Sequence, residues 1–148
     1  MVTEKSGRRP YKSLAGRSGK LPRLARPHHN PYLAGRRATG VVAQLDPVEV
    51  AEKLRAAPQR ILLLDVREPF ERELAVIEPS VHIPMGEIAA RLEEIPKDRD
   101  VVVYCHGGTR SMMVAGYLAN HGWKSVANLA GGIDAWSVKV DPDVPRYS

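Results

Sequence analysis

A single cysteine occurs in the 148 residues, and it heads the run Cys105-His106-Gly107-Gly108-Thr109-Arg110-Ser111. These residue types suit covalent catalysis by a thiolate. Gly107 and Gly108 permit backbone conformations closed to residues with a Cβ, so that successive N–H groups can turn inward as an anion-binding nest. Arg110 adds a permanent positive charge carried on a planar donor fork. Inward N–H groups, a helix N-terminus and a guanidinium all favour the anion of a neighbouring cysteine, which makes Cys105 an activated nucleophile. A lone cysteine in a soluble protein is more often a small buried apolar side chain. A Cys-x-x-Gly-x-Arg turn, however, has little packing reason to exist between a strand and a helix.

The elements on either side must deliver that loop. Val101 to Tyr104 is a continuous apolar run that ends at the loop and reads as a buried parallel strand, and apolar residues at helical spacing predict a helix over about Ser111 to His121. In an open α/β sheet, ligands bind beyond the carboxyl ends of the strands, where Cys105 falls. Val41-Val42-Ala43 predicts a first strand, and Asp46-Pro47 starts a helix over Val48 to Ala56 that is stopped before Pro58. Ile61 to Leu64 is a second buried strand with Asp65 at its carboxyl end, and Glu68-Pro69 opens a helix to about Ala75. Val81-His82-Ile83 is a third strand, followed by a helix from about Met85 to Glu94; Val126 to Leu129 is the fifth strand, and Gly131-Gly132 turns into a helix over Ile133 to Val138. Strands alternating with helices predict an α/β fold with a parallel sheet, helices on both faces and right-handed crossovers. Trp136 is expected in the core, and Met112 and Met113 are expected to pack against the sheet, with a pocket-lining place for one of them as the alternative. His82 is read as structural, since thiolate chemistry in an anion-binding loop needs no separate base.

Four stretches occur in a telling order: Leu63-Leu64-Asp65-Val66-Arg67-Glu68, His82-Ile83-Pro84, Cys105-His-Gly-Gly-Thr-Arg110, and Asn128-Leu129-Ala130-Gly131-Gly132-Ile133-Asp134-Ala135-Trp136. Together they resemble the single-domain rhodaneses, which are sulfurtransferases, over about residues 40 to 140. The resemblance implies a five-stranded parallel sheet in the order 1-5-4-2-3. It also implies transfer of a sulfane sulfur from a small anionic donor such as thiosulfate, through a persulfide on Cys105, to cyanide or a thiol, a protein thiol included. On this reading Cys105 is catalytic, while His106, Gly107, Gly108, Thr109, Arg110 and Ser111 bind substrate, with Arg110 attracting and orienting the donor. Asp65 and Arg67 are orienting or structural groups near the site; for Asp65, capping or pairing with an arginine is the preferred reading. No metal or organic cofactor is implied. Two-domain thiosulfate enzymes carry basic residues directly after the cysteine, whereas this chain has His106-Gly107, so thiosulfate is expected to serve as a test substrate.

Two other classes compete. A cysteine-dependent phosphatase or arsenate reductase of the related fold would place five residues between Cys and Arg, where this chain has four. A non-catalytic rhodanese-like interaction module would usually lack the cysteine.

The formal net charge of +5 is unevenly distributed. Residues 1–40 hold ten Lys or Arg against one acid, Glu4, giving +9; residues 41–148 hold twelve basic and sixteen acidic residues, giving −4. Residues 1–39 are broken by Gly and Pro at every short apolar run, so the sequence predicts a basic, disordered segment ahead of a domain over 40–148. Three readings of that segment stay open: a targeting peptide, a tail for nucleic acid or membrane surfaces whose nucleic-acid binding would be weak and non-specific, and a start assigned upstream of Val41. His28 and His29 lack companions at metal-ligand spacing. A lone cysteine and the lack of a long apolar stretch make a reducing cytoplasm the expected compartment, with organelle targeting by residues 1–39 as the alternative, and no membrane partner.

Overall fold

A computed structural model of the protein describes residues 42–148. The expected strand Val41-Val42-Ala43 falls partly outside these residues, as does the whole expected segment 1–39. The first described strand, β1, is Ala43–Leu45. Asp46 caps the following helix α1, Pro47–Ala56, its Oδ2 accepting from the Val48 N–H at 3.0 Å, and Pro47 takes the first helical position, where its missing donor costs nothing. Then come β2 (Ile61–Asp65), α2 (Pro69–Leu74), β3 (Val81–His82), β4 (Asp100–Tyr104), α3 (Thr109–Asn120), β5 (Val126–Leu129) and α4 (Gly132–Lys139). All strand pairs are parallel, and the order across the sheet is β1-β5-β4-β2-β3, the expected 1-5-4-2-3.

The central strands β2, β4 and β5 are buried along almost their whole length, which is why their sequences are continuous apolar runs and do not alternate. Successive side chains still point to opposite faces. Ile61, Leu63, Val102, Tyr104, Ala127 and Leu129 meet Val50 and Ala51 of α1 and Ile133 and Trp136 of α4 on one side. Helix α3, with Val114, Ala115 and Leu118 buried, packs against β4 and β5. Each fully buried Leu, Ile or Val of this core contributes roughly 1.5–3 kcal/mol relative to exposure. Trp136 belongs to the core as expected. Met112 and Met113 are only half-buried, and the Met112 sulfur accepts from the side-chain amide of Gln44 at 3.1 Å.

One expected element is different. Met85 to Glu94 is no α-helix but two single 3-10 turns, Met85–Glu87 and Leu92–Glu94, joined through i→i+3 bonds such as Arg91 N–H to the Ile88 carbonyl at 3.0 Å. The segment must travel from the carboxyl end of β3 back to the amino end of β4 while burying Ile88 and Ile95. A 3-10 turn rises about 2.0 Å per residue against about 1.5 Å for an α-helix, so it covers that distance with fewer residues. Arg91 staples the turns by donating to Glu87 at 2.7 Å and to Glu94 at 2.9 Å.

Candidate active site

Strand β4 carries Tyr104 to the sheet's carboxyl edge, and Cys105 follows as the first residue of the turn into α3. Cys105 is 1% exposed. Three donors converge on its sulfur: Gly108 N at 3.1 Å, Ser111 N at 3.3 Å and Ser111 Oγ at 3.3 Å. They lie in and just before the first turn of α3, where helix N–H groups lack partners of their own. A charged sulfur here would take hydrogen bonds that are already aimed, and charge-assisted bonds are about twice as strong as neutral ones.

Gly108 is the N-cap of α3 with φ +108°, a backbone conformation that L side chains rarely adopt. Gly107 has no such requirement: its φ is not positive, and a Cβ there would meet open space. Thr109 is exposed at the start of α3. Asn128 on β5 donates to the Gly108 carbonyl at 3.2 Å and to Gln44 at 3.0 Å, so the turn is held from the neighbouring strand. Beneath the loop, Ile133 N and Asp134 N donate to the carbonyls of Cys105 and His106 at 2.9 and 3.1 Å. A Cβ on Gly132 would run into the His106 carbonyl, which explains a glycine there.

Both terminal nitrogens of Arg110 donate to Glu71, at 2.8 Å to Oε1 and 2.9 Å to Oε2. Glu71, almost fully buried on α2, also accepts the Glu68 N–H at 3.0 Å, the reach-back of an N3 glutamate to its own helix cap. The Arg110 guanidinium thus ties the loop to α2, and much of its charge is met by Glu71. The hydrogen bond from Arg110 is the largest influence on the Glu71 carboxyl and holds it at about 2. Arg110 is in turn held more firmly charged, first by that bond and also by the field of Cys105.

Asp65 and Arg67 form a second, wholly buried pair beside the loop. Arg67 Nε and Nη2 donate to Asp65 Oδ1 and Oδ2 at 2.8 and 2.7 Å, and Arg72 and the Tyr104 hydroxyl add bonds to Oδ2 at 3.0 and 3.1 Å. Burial opposes the charge on Asp65, but the bonds and field of Arg67 outweigh it and keep the carboxyl below its ordinary value. Arg67 also donates to the carbonyls of Glu71 and Ala75. His82 bonds the Arg67 carbonyl through Nε2 at 2.8 Å.

Sequence reasoning did not find Glu71, Asn128 or Tyr147. The Tyr147 ring stacks on His106 with centroids 4.2 Å apart, and its hydroxyl donates to Glu71 Oε2 at 2.9 Å. Glu71 follows Glu68-Pro69 at helix position N3, so a capping-box reading could have marked it; the other two carry no local signal. Among the described residues, no group of three or more His, Cys, Asp or Glu side chains is placed to hold a metal ion, and no helix is long and apolar enough to cross a membrane.

The two carboxylates set an acid limit. Both have folded-state values below their ordinary ones, so each contributes stability in full above its unfolded-state value and loses it as the pH falls through the folded value. Unfolding free energy is therefore expected to hold steady above about pH 5 and to decline as the pH drops from 4.5 towards about 2, where Glu71 titrates. Denaturant titrations across that range check this, and Glu71→Gln should flatten the slope. A wild-type curve that is level down to pH 2 would contradict the pairing.

The family model of the Rhodanese-like domain matches residues 46–139. A sulfurtransferase of Allochromatium vinosum is 41% identical over 97 residues, spanning 66% of this chain and 90% of that protein. A putative sulfurtransferase of Bacillus subtilis is 37% identical over 101 residues, spanning 68% and 96%. The crystal structure of a rhodanese-like domain protein from Staphylococcus aureus superposes with a TM-score of 0.62 at 28% identity, covering 72% of this chain and all of that one. With the loop, the sheet order and most of the described residues matched, the chain belongs to the rhodanese-like domain family.

Proposed function

We propose that the protein is a sulfurtransferase in which the Cys105 thiolate takes a sulfane sulfur from a small anionic donor and passes it to a thiophilic acceptor. The observation that carries this reading is the convergence of Gly108 N, Ser111 N and Ser111 Oγ on the Cys105 sulfur. Its sulfurtransferase-named relatives support the same class of reaction.

With thiosulfate as donor, the thiolate attacks the outer sulfur; a new S–S bond forms, the old S–S bond breaks, and sulfite leaves with the electron pair. The enzyme then holds a persulfide anion, one sulfur longer than the thiolate. Cyanide attacks that outer sulfur to give thiocyanate and restores the thiolate; a thiol acceptor, a protein thiol included, leaves as its own persulfide. The charge stays on sulfur throughout, so donors fixed in advance around that atom serve both halves of a ping-pong cycle. Neither half draws on a metal or organic cofactor. In this scheme Arg110 contributes from behind the loop: it holds the turn against α2 and adds positive field, and the N–H groups and the Ser111 hydroxyl meet the sulfur directly. Asp65 and Arg67 keep the floor of the site in place.

Mass spectrometry of protein incubated with thiosulfate tests the proposal. One added sulfur atom on the Cys105 peptide, released as thiocyanate by cyanide, is the expected result. An unmodified peptide, together with hydrolysis of aryl phosphates, would favour phosphoryl chemistry instead. A phosphoryl group needs donors for three equatorial oxygens, and the four residues between Cys105 and Arg110 make a narrow ring for it.

A further inference from the structure

The chain beyond α4 folds back over the catalytic turn. Val144 is buried in the core beside α4, and Arg146 donates to both oxygens of Asp134 at 2.8 and 3.0 Å. These contacts place Tyr147 against two separate parts of the site. Its ring lies on His106, the residue next to the nucleophile, with planes 18° apart. Among the described residues nothing hydrogen-bonds to His106 Nε2, although that atom is shielded from solvent, and the stack is an aromatic contact that holds the imidazole.

The hydroxyl stands between the two ion pairs, one wholly buried and one partly so. It accepts from Arg67 Nη1 at 3.0 Å, of the Asp65–Arg67 pair, and donates to Glu71 Oε2 at 2.9 Å, of the Glu71–Arg110 pair. Burial pushes the Tyr147 phenol up to about 12, so at neutral pH it keeps the proton it donates. Glu71 then has four donors on its two oxygens: Arg110 twice, the Glu68 N–H and Tyr147. The oxygen that receives Arg110 Nη2 is the one that receives the tyrosine.

We propose that Tyr147 is a positioning residue for the sulfur-transfer loop: its ring holds the loop at His106, directly after the nucleophile, and its hydroxyl holds the Glu71–Arg110 pair that anchors the loop's far end. The inference rests on the sulfur-transfer reading of Cys105. Tyr147 touches no reacting atom in this scheme; it keeps Gly108 N and Ser111 N at hydrogen-bonding distance from the sulfur while charge moves.

The test compares Tyr147→Phe, which keeps the ring and loses the hydroxyl, with Tyr147→Leu, which loses both. The sites in each preparation are counted by thiosulfate-driven persulfide formation, and kcat is expressed per counted site, so unfolded molecules drop out of the comparison. A shift of about 1 Å in a positioned group can cost up to about a hundredfold in rate, so kcat per site is expected to fall about tenfold in the Phe variant and about a hundredfold in the Leu variant. The KM for thiosulfate should stay within about twofold, because the loss lies in interactions strengthened as the reaction proceeds and not in donor binding. A purely structural role would lower the number of sites and leave kcat per site unchanged. If the Leu variant does not fold, the Phe variant alone decides. Wild-type kcat per site in Tyr147→Phe overturns the inference while leaving the sulfur-transfer reading standing. A wild-type protein that takes up no sulfur overturns that reading, and the inference with it.

Discussion

Replacing Cys105 with serine is expected to leave a folded protein with no sulfur transfer. Serine is close to cysteine in size, and its hydroxyl can accept from the same Gly108 and Ser111 donors, so the substitution should cost no more than about 1 kcal/mol of stability. Activity has no such refuge, because the chain contains no other cysteine to carry a persulfide. A loss of at least about a thousandfold in thiosulfate:cyanide transfer is expected from removing the nucleophile whose attack starts the proposed cycle. Cyanolysis assays on purified variant and wild type decide the matter; transfer by Cys105→Ser clearly above the uncatalysed rate would place the chemistry elsewhere.

The largest effect on stability is expected at Asp65. Arg67 is fully buried, and Asp65 takes two hydrogen bonds from its guanidinium as well as one from Arg72. Asp65→Ala leaves a guanidinium out of water with two carbonyls, the Tyr147 hydroxyl and the rings of Tyr104 and Tyr147 for partners, and no counter-charge. Breaking a buried pair in this way typically costs about 3–5 kcal/mol, a large share of the roughly 5–15 kcal/mol that holds a domain together. Removing both charges should cost less than the sum of the single changes, because no uncompensated ion is then left inside. Urea titrations of Asp65→Ala, Arg67→Met and the double variant form the cycle. A cost for Asp65→Ala below about 1 kcal/mol would show that Arg67 finds other partners or solvent.

What could be read in advance divides by distance along the chain. Strand, turn and helix around Cys105 were legible because their signals lie side by side: four apolar residues, two glycines and a helical apolar pattern. Gly108 at the N-cap of α3 is an outcome of that local grammar. Glu71 and Arg110 are 39 positions apart, and Glu71 and Tyr147 are 76, so nothing in either neighbourhood announces the other. The expected helix over Met85 to Glu94 failed for another reason. Ile88, Leu92 and Ile95 stand at i, i+4 and i+7, a helical period, yet the same three positions serve a more extended run of 3-10 turns when the chain has a gap to cross. Periodicity records which residues must face the core, and the span available decides the winding.

The support that Ile133 and Asp134 give to the carbonyls of Cys105 and His106 has a consequence for the nascent chain. During synthesis the cysteine leaves the ribosome well before the turn that will sit under it, and Tyr147 comes later still. Until those residues arrive, the turn that carries Cys105 lacks the contacts that hold it from below and from the side. On the sulfur-transfer reading, a chain that has not yet delivered those residues lacks the contacts that hold the loop and is expected to take up little sulfur.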